Sequence, residues 1–236
     1  MITIAVLVAM QEELDSILSL FENSERMVMC GVPVYLVEIG TCRCVFALSG
    51  VGRANTAIGA TLIINQFKPS AVINIGSAGG LLPTQKILDV VIPSEVVAVD
   101  VDLTALGFEY GSVMGEPKSY FTDRELCEKL TKLSRDNHIT THSGTVGSTE
   151  AFICKPEQVA EIHRRFGENK IACVEMEAFS VAVACSRFKV PFAVIRSLSD
   201  VPAHGEGNEL HFNEFLKKAS QNVARVLYSY VGVVET

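Results

Sequence analysis

Four carboxylates stand where predicted strands hand over to the next element. Glu13 follows the apolar run 2–9, Glu175 and Glu177 follow Ala172–Val174, and Asp200 follows Pro191–Leu198. In parallel sheets ligands bind beyond the carboxyl ends of the strands, so these four groups can converge on one cleft. Like charges in a dry pocket push their pKa values apart and must divide roles between base, acid and hydroxyl acceptor. Cleavage of a glycosidic bond needs such a set, with an acid for the leaving group and a base for water. Each residue also has a plainer reading. Glu13 on spacing alone is a solvated first-turn helix glutamate, and Asp200 a cap or Asx-turn residue. Glu177 resists that treatment, because it lies between Met176 and Ala178 at the mouth of an apolar helix.

The remaining chemistry-bearing residues exclude more than they suggest. Gly76-Ser77-Ala78-Gly79-Gly80 has neither the spacing of a dinucleotide fingerprint nor the lysine of a P-loop, and Gly50-Val51-Gly52-Arg53-Ala54-Asn55 ends in asparagine where the fingerprint needs glycine. The glycines read instead as places where backbone comes close to a small ligand or another strand. Arg53 reads as a solvated helix start. Seven cysteines, an odd number mostly set in apolar runs, read as reduced thiols of a reducing compartment. His138 and His142 are four apart, but Ile139-Thr140-Thr141 reads as strand, out of register for a zinc helix. No metal and no cofactor is expected.

The elements that must position these residues follow from periodicity. Among 236 residues, 48% are hydrophobic and 20% charged, which suits one globular domain over 1–236. Residues 2–9 form a buried strand; apolar residues at 14, 17, 18 and 21 make the next segment a helix with acids in its first turn. Val34–Ile39 and Arg43–Leu48 read as paired strands, 53–66 as a helix, and Pro69–Ile75 as a strand ending in the glycine segment. Further strands are expected over Leu88–Val99, Thr140–Gly147, Ala172–Val174 and Pro191–Leu198. Helices are expected over 123–136 (capped by Thr122 or Asp123), 155–166, 176–188 and 209–232. The alternation predicts an α/β fold: a three-layer α/β/α sandwich around a mostly parallel, mixed, twisted sheet. A net charge of −7 speaks against nucleic acid. The first residues lack a basic leader, and no run reaches the roughly 20 apolar residues of a membrane span, so the expected location is the cytoplasm.

Taken in order, Ala9-Met10-Gln11-Glu12-Glu13, Ser49–Gly52, Asn74–Gly80, Asp100–Gly111, Ala151-Phe152-Ile153, Val174–Ala178 and Arg196–Asp200 resemble the bacterial 5′-methylthioadenosine/S-adenosylhomocysteine nucleosidases, of the nucleoside phosphorylase/hydrolase fold. The resemblance implies hydrolysis of an adenine nucleoside in methionine salvage. It assigns Glu13 to the attacking water, with Ser77 and Arg196 beside it and Ala78 and Gly79 close to the ligand. Glu177 takes the ribose hydroxyls, with Glu175 nearby and Met176 beneath the sugar. Asp200, next to Ser199, serves purine N7. Phe152 stacks on the base and the Ile153 backbone reads its edge. Met10, Val51 and Phe212 enclose the alkylthio group, together with Leu103 and Leu106 (and Phe108 on the same loop) of a neighbouring subunit. The implied assembly is a homodimer in which loop 103–108 completes the neighbouring site.

Where phosphorylases of that fold carry a phosphate-binding arginine, three residues before the glycine-segment serine, this chain has Asn74. Glu13 in the first loop would repel phosphate, which favours water. Departures fall at the tail end of the site: Pro202–Asn208 is a longer, glycine-containing loop, Leu106 and Phe108 replace commoner aromatics, and Val99 stands where histidine is usual. The alternatives are a nucleosidase for another adenosine-type tail such as aminodeoxyfutalosine, a purine nucleoside phosphorylase, a non-catalytic nucleoside-binding protein, and an NAD-binding module, the last failing on glycine spacing.

Overall fold

In the computed structural model, which describes residues 1–205 and 208–235, apolar runs become strands covered on both faces. β1 (Ile2–Val8) shows why its run is unbroken. Ala5 and Leu7 enter one core cluster, while Ile4, Val6 and Val8 enter the opposite one. β1 lies between β4 (Cys42–Leu48) and β5 (Ala71–Gly80), parallel to both. β2 (Glu25–Met29) and β3 (Val32–Ile39) add antiparallel neighbours beyond β4. On the other side β5 meets β11 (Ile171–Glu175), followed by β10 (Thr145–Ser148), β7 (Glu95–Ala98) and β8 (Ser119–Phe121). β12 (Phe192–Asp200) runs parallel to β5, and carries β6 (Val90–Val91) and then β9 (Thr141–His142). Parallel and antiparallel ladders are thus mixed in one twelve-stranded sheet.

α2 (Arg53–Phe67) and α5 (Ala178–Phe188) cover one face; α1 (Gln11–Leu18), α3 (Arg124–Asp136) and α6 (Asn208–Glu235) cover the other. α4 (Pro156–Phe166) seals a third cluster with Val159 and Ile162. The layers are those of an α/β/α sandwich. Asp123 is the cap of α3, accepting the Leu126 N–H at 2.9 Å, while Thr122 instead donates to the Pro93 carbonyl. Among the described residues no helix is long and apolar enough to cross a membrane.

Three expectations need correction. The glycine segment does not end a strand but continues it to Gly80, because Gly79 and Gly80 pair with β11 while Gly76–Gly79 pair with β12. Three strands crowd around this stretch, and side chains would obstruct them: a Cβ at Gly80 would lie 2.8 Å from both Gln85 and Leu198. The spans Leu88–Val99 and Thr140–Gly147 each break in two, near Pro93 and Gly144. α5 starts at Ala178 rather than 176, since Met176 and Glu177 form the turn that leads into it. β2 escaped prediction, because its exposed edge position demands no apolar alternation. The loop over 202–208 forms a short 3-10 turn at Pro202–His204; Glu206 and Gly207 lie outside the described residues.

Candidate active site

The ends of β1, β5, β11 and β12 open onto one cavity of about 400 Å³. Glu13, in the first turn of α1, turns inward beside Leu14 and is 1% exposed, so the solvated reading of this residue is wrong. Its Oε1 accepts the Ser77 N–H at 2.9 Å and the Ser77 hydroxyl at 3.1 Å; its Oε2 accepts the Met10 N–H at 3.2 Å. Burial raises its pKa, with Arg196 and these donors opposing.

Arg196 lies opposite Gly76 in the β5–β12 ladder and is itself 1% exposed. Its guanidinium crosses Gly76: a Cβ there would overlap Arg196 and come within 2.9 Å of Glu13 Oε1. Nη2 pairs with Glu175, donates to Asn74 Oδ1, and reaches Glu177 Oε2 at 3.4 Å. Glu175 has a second task. Its Oε2 accepts the N–H groups of Glu177 at 3.0 Å and Ala178 at 2.8 Å, satisfying the start of α5. Its Oε1 has no partner among the described residues.

Glu177 precedes α5 and is 4% exposed. Its Oε1 accepts the Gly52 N–H at 3.0 Å, and burial lifts its pKa to about 7 against the pull of Arg196. Asp200 ends β12. Its Oδ1 accepts the Ser199 hydroxyl at 2.7 Å, while Oδ2 is buried without a partner among the described residues. Burial holds its pKa at about 6, the serine hydrogen bond opposing. Glu13, Glu175 and Glu177 thus gather around the guanidinium of Arg196, and Asp200 lines the same cavity. Such a pocket favours a positive centre and lends a carboxyl group its proton near neutrality.

The remaining predicted residues divide. Ser77, Ala78, Gly79, Met176, Ser199, Met10, Val51, Phe152 and Phe212 all line the cavity, and the Phe152 and Phe212 rings meet edge to face at 5.4 Å. The Ile153 side chain packs instead against the α4 cluster. Its backbone N–H and C=O have no hydrogen-bond partner among the described residues. Leu103 and Leu106 do not line the cavity of their own chain; Leu106, on the 3-10 turn Thr104–Leu106, is 63% exposed. Val99 packs into the third core cluster, against Gly147.

Sequence reasoning missed Ala9, Val174, Glu209 and Asn213, which also line the cavity. Glu209 sits one turn before Phe212 on α6, a spacing that puts both on one face, and its Oε1 accepts the Cys154 thiol at 3.2 Å. Arg53 is not a solvated helix start, since its side chain is 17% exposed and paired with Asp100 and Glu150. His142 pairs with Asp89 at 2.7 Å, and His138 lies apart in a left-handed turn. Among the described residues no group of three or more metal-type side chains forms a cation site.

Comparison with known proteins places this geometry. The family model of the phosphorylase superfamily matches residues 3–232. A 5′-methylthioadenosine/S-adenosylhomocysteine nucleosidase of Geobacillus thermodenitrificans is 36% identical over 98% of this chain and 97% of its own length. Among solved structures, the Neisseria meningitidis nucleosidase of that description, in complex with methylthio-immucillin-A, aligns with a TM-score of 0.91 and 35% identity, covering 100% of this chain and 99% of that one. A structure described as native futalosine hydrolase of Helicobacter pylori aligns at TM-score 0.92 and 30% identity, over 98% of this chain and 97% of that one.

Proposed function

The chain belongs to the phosphorylase superfamily and, within it, to the 5′-methylthioadenosine/S-adenosylhomocysteine nucleosidases, and from that membership we propose how its residues hydrolyse the N-glycosidic bond. The substrates are 5′-methylthioadenosine and S-adenosylhomocysteine; the products are adenine and the corresponding thioribose. The observation that carries the residue-level reading is the convergence of Glu13, Glu177 and Asp200 in one cavity, each buried and each with its pKa raised.

As the C1′–N9 bond lengthens, positive charge develops on the ribosyl ring, and buried carboxylates stabilise it more than they stabilise the neutral substrate. Asp200 holds a proton to about pH 6, and its unpartnered Oδ2 gives that proton to purine N7, so adenine leaves neutral. Ser199 keeps Oδ1 occupied and so directs the other oxygen at the base. Water attacks C1′ and passes its proton to Glu13, whose basicity burial strengthens. Ser77 fixes Glu13, and Arg196 stands beside them. Glu177 accepts hydrogen bonds from the ribose hydroxyls, with Met176 under the ring. Phe152 stacks on the base and the free backbone groups of Ile153 read its edge. Met10, Val51 and Phe212 provide the apolar, polarizable surface that a thioether requires.

The proposed assembly is a homodimer in which Leu103 and Leu106 of a second copy close the thioether end. The exposure of Leu106, Phe108 and Met114 supports this, since loops of a lone chain rarely present such apolar side chains together. All seven cysteines are thiols, which fits a cytoplasmic enzyme.

The test is product analysis. The purified protein is incubated with 5′-methylthioadenosine, with and without phosphate. Adenine and methylthioribose at equal rates in both buffers are expected; a ribose 1-phosphate product would overturn the hydrolytic assignment. The likeness to a futalosine hydrolase, together with polar Glu209 and Asn213 at the cavity wall, favours a second substrate with a longer tail. Aminodeoxyfutalosine assayed in parallel decides between the tails.

A further inference from the structure

Three charged residues outside the cavity join the segments that form it. Arg53, the first residue of α2, donates its backbone N–H to Glu150 Oε1 at 2.8 Å, and its Nε lies 3.3 Å from the same oxygen. Its Nη2 pairs with Asp100 Oδ1. Asp100 Oδ2 in turn accepts the backbone N–H of Glu150 at 2.8 Å, which closes a ring of three residues. The Arg53 carbonyl is also held, by the Ser180 hydroxyl on α5 at 2.8 Å.

Arg53 and Glu150 each lie two residues from a residue that lines the cavity, Val51 and Phe152. Gly52, immediately before Arg53, donates the N–H that fixes Glu177 Oε1. Glu150 lies two residues before Phe152, and its Oε2 approaches Gly52 so closely that a Cβ there would stand 3.0 Å away. Thr149 on the same loop is tied to the Glu175 carbonyl at 2.9 Å. α2 has no side-chain cap and no acid in its own first turn, so Glu150 supplies from a distant loop the carboxylate that its N-terminus lacks. Partly exposed ion pairs contribute little to stability. A closed ring linking the ribose side of a cavity to its base side has a different use, which is to fix the gap between them.

We propose that Arg53, with Asp100 and Glu150, is a positioning unit that holds the base-stacking loop 149–153 in register with the Gly52–Glu177 contact on the ribose side. This rests on the reading of the cavity as an adenine nucleoside site. Loosening the unit weakens capture of the base more than it slows bond cleavage, because Asp200, Glu13 and their donors lie on other elements.

The experiment is Arg53→Met beside Arg53→Lys and wild type, followed by steady-state kinetics on 5′-methylthioadenosine and by calorimetric titration with adenine. Arg53→Met is expected to raise KM and the adenine Kd about tenfold, with kcat within about threefold and the shape of the pH profile unchanged. Arg53→Lys is expected to recover most of the loss, since a point charge still reaches Asp100. Unaltered KM and adenine Kd in a folded Arg53→Met protein would overturn the proposal. So would a fall in kcat matching the folded fraction at constant KM. If wild type fails to cleave the nucleoside, the substrate reading fails separately, and the adenine titration still decides the positioning unit. A wild type that does not bind adenine overturns both.

Discussion

Replacing Asp200 by asparagine should remove activity and add stability at the same time, and the second effect has a sign and a pH window. The carboxyl group is 1% exposed, and burial holds its pKa at about 6 in place of the ordinary 3.8. The folded state therefore prefers the protonated form. Below about pH 4 both states are protonated and burial carries no penalty. Between 3.8 and 6 the unfolded chain ionises first, and the native state is progressively disfavoured. Above 6 the full difference stands, about 3 kcal/mol. Asparagine keeps the shape and the Ser199 hydrogen bond but carries no charge. The variant should be more stable than wild type by about 3 kcal/mol at pH 7.5, a rise of roughly 6–12 °C in Tm for a chain of this size. About half of that gain should remain at pH 5. Turnover should fall by about 10²- to 10⁴-fold, the usual contribution of a general acid, while a substrate analogue still binds. Calorimetric scans at pH 5 and 7.5, with initial rates of adenine release, test this. An equal Tm gain at both pH values, or none, would refute the burial argument. A variant retaining most of its turnover would remove Asp200 from the chemistry.

Arg196→Met leaves Glu175 and Glu177 buried without their cation, so a loss of about 3–5 kcal/mol is expected in urea titration at pH 8. The loss should shrink toward pH 5, as Glu177 protonates; a change under about 1 kcal/mol at pH 8 would show that water reaches the pair. Gly76→Ala places a methyl group against the Arg196 guanidinium and near Glu13 Oε1, and about 10²-fold lower kcat is expected because both groups must move. Wild-type kcat in that variant would mean that Arg196 can yield without consequence.

The convergence of Glu13, Glu177 and Asp200 was legible because it rests on two periodic rules: continuous apolar runs make parallel strands, and ligands sit beyond their carboxyl ends. The burial of Glu13 was not, since its inward turn depends on donors from Met10 and Ser77, the latter 64 positions away in sequence. Arg53 was misread for the same reason. A cation at a helix start is ordinarily solvated, and only the arrival of Asp100 and Glu150 from other segments changes that. The glycine segment reads as the end of a strand, since glycine locally disfavours strands. In the fold, the crossing of β5, β11 and β12 leaves room for nothing larger, so the local preference yields to tertiary packing. Glu209 was hidden by register. Its spacing to Phe212 was available, but which face of α6 meets the cavity depends on where that long helix docks.

Why water and not phosphate attacks follows from how the one guanidinium is used. Arg196 faces Glu175 and Glu177, and Asn74 Oδ1 accepts from the same Nη2, while the Asn74 amide donates to the Leu7 carbonyl at 3.2 Å. Asn74 is 1% exposed and both of its polar ends are engaged, so it orients the cation and offers nothing to an anion. A phosphate entering beneath the sugar would meet Glu13, already in a pocket where burial disfavours negative charge. Its charge would add to that of the Glu13, Glu175 and Glu177 side chains around the Arg196 guanidinium. Arg53, another cation near these loops, is held by Asp100 and Glu150. A neutral nucleophile suffers none of these penalties. In the proposed mechanism it gains in Glu13 a base whose proton affinity the same burial has raised, so the crowding of acids that disfavours phosphate also favours water.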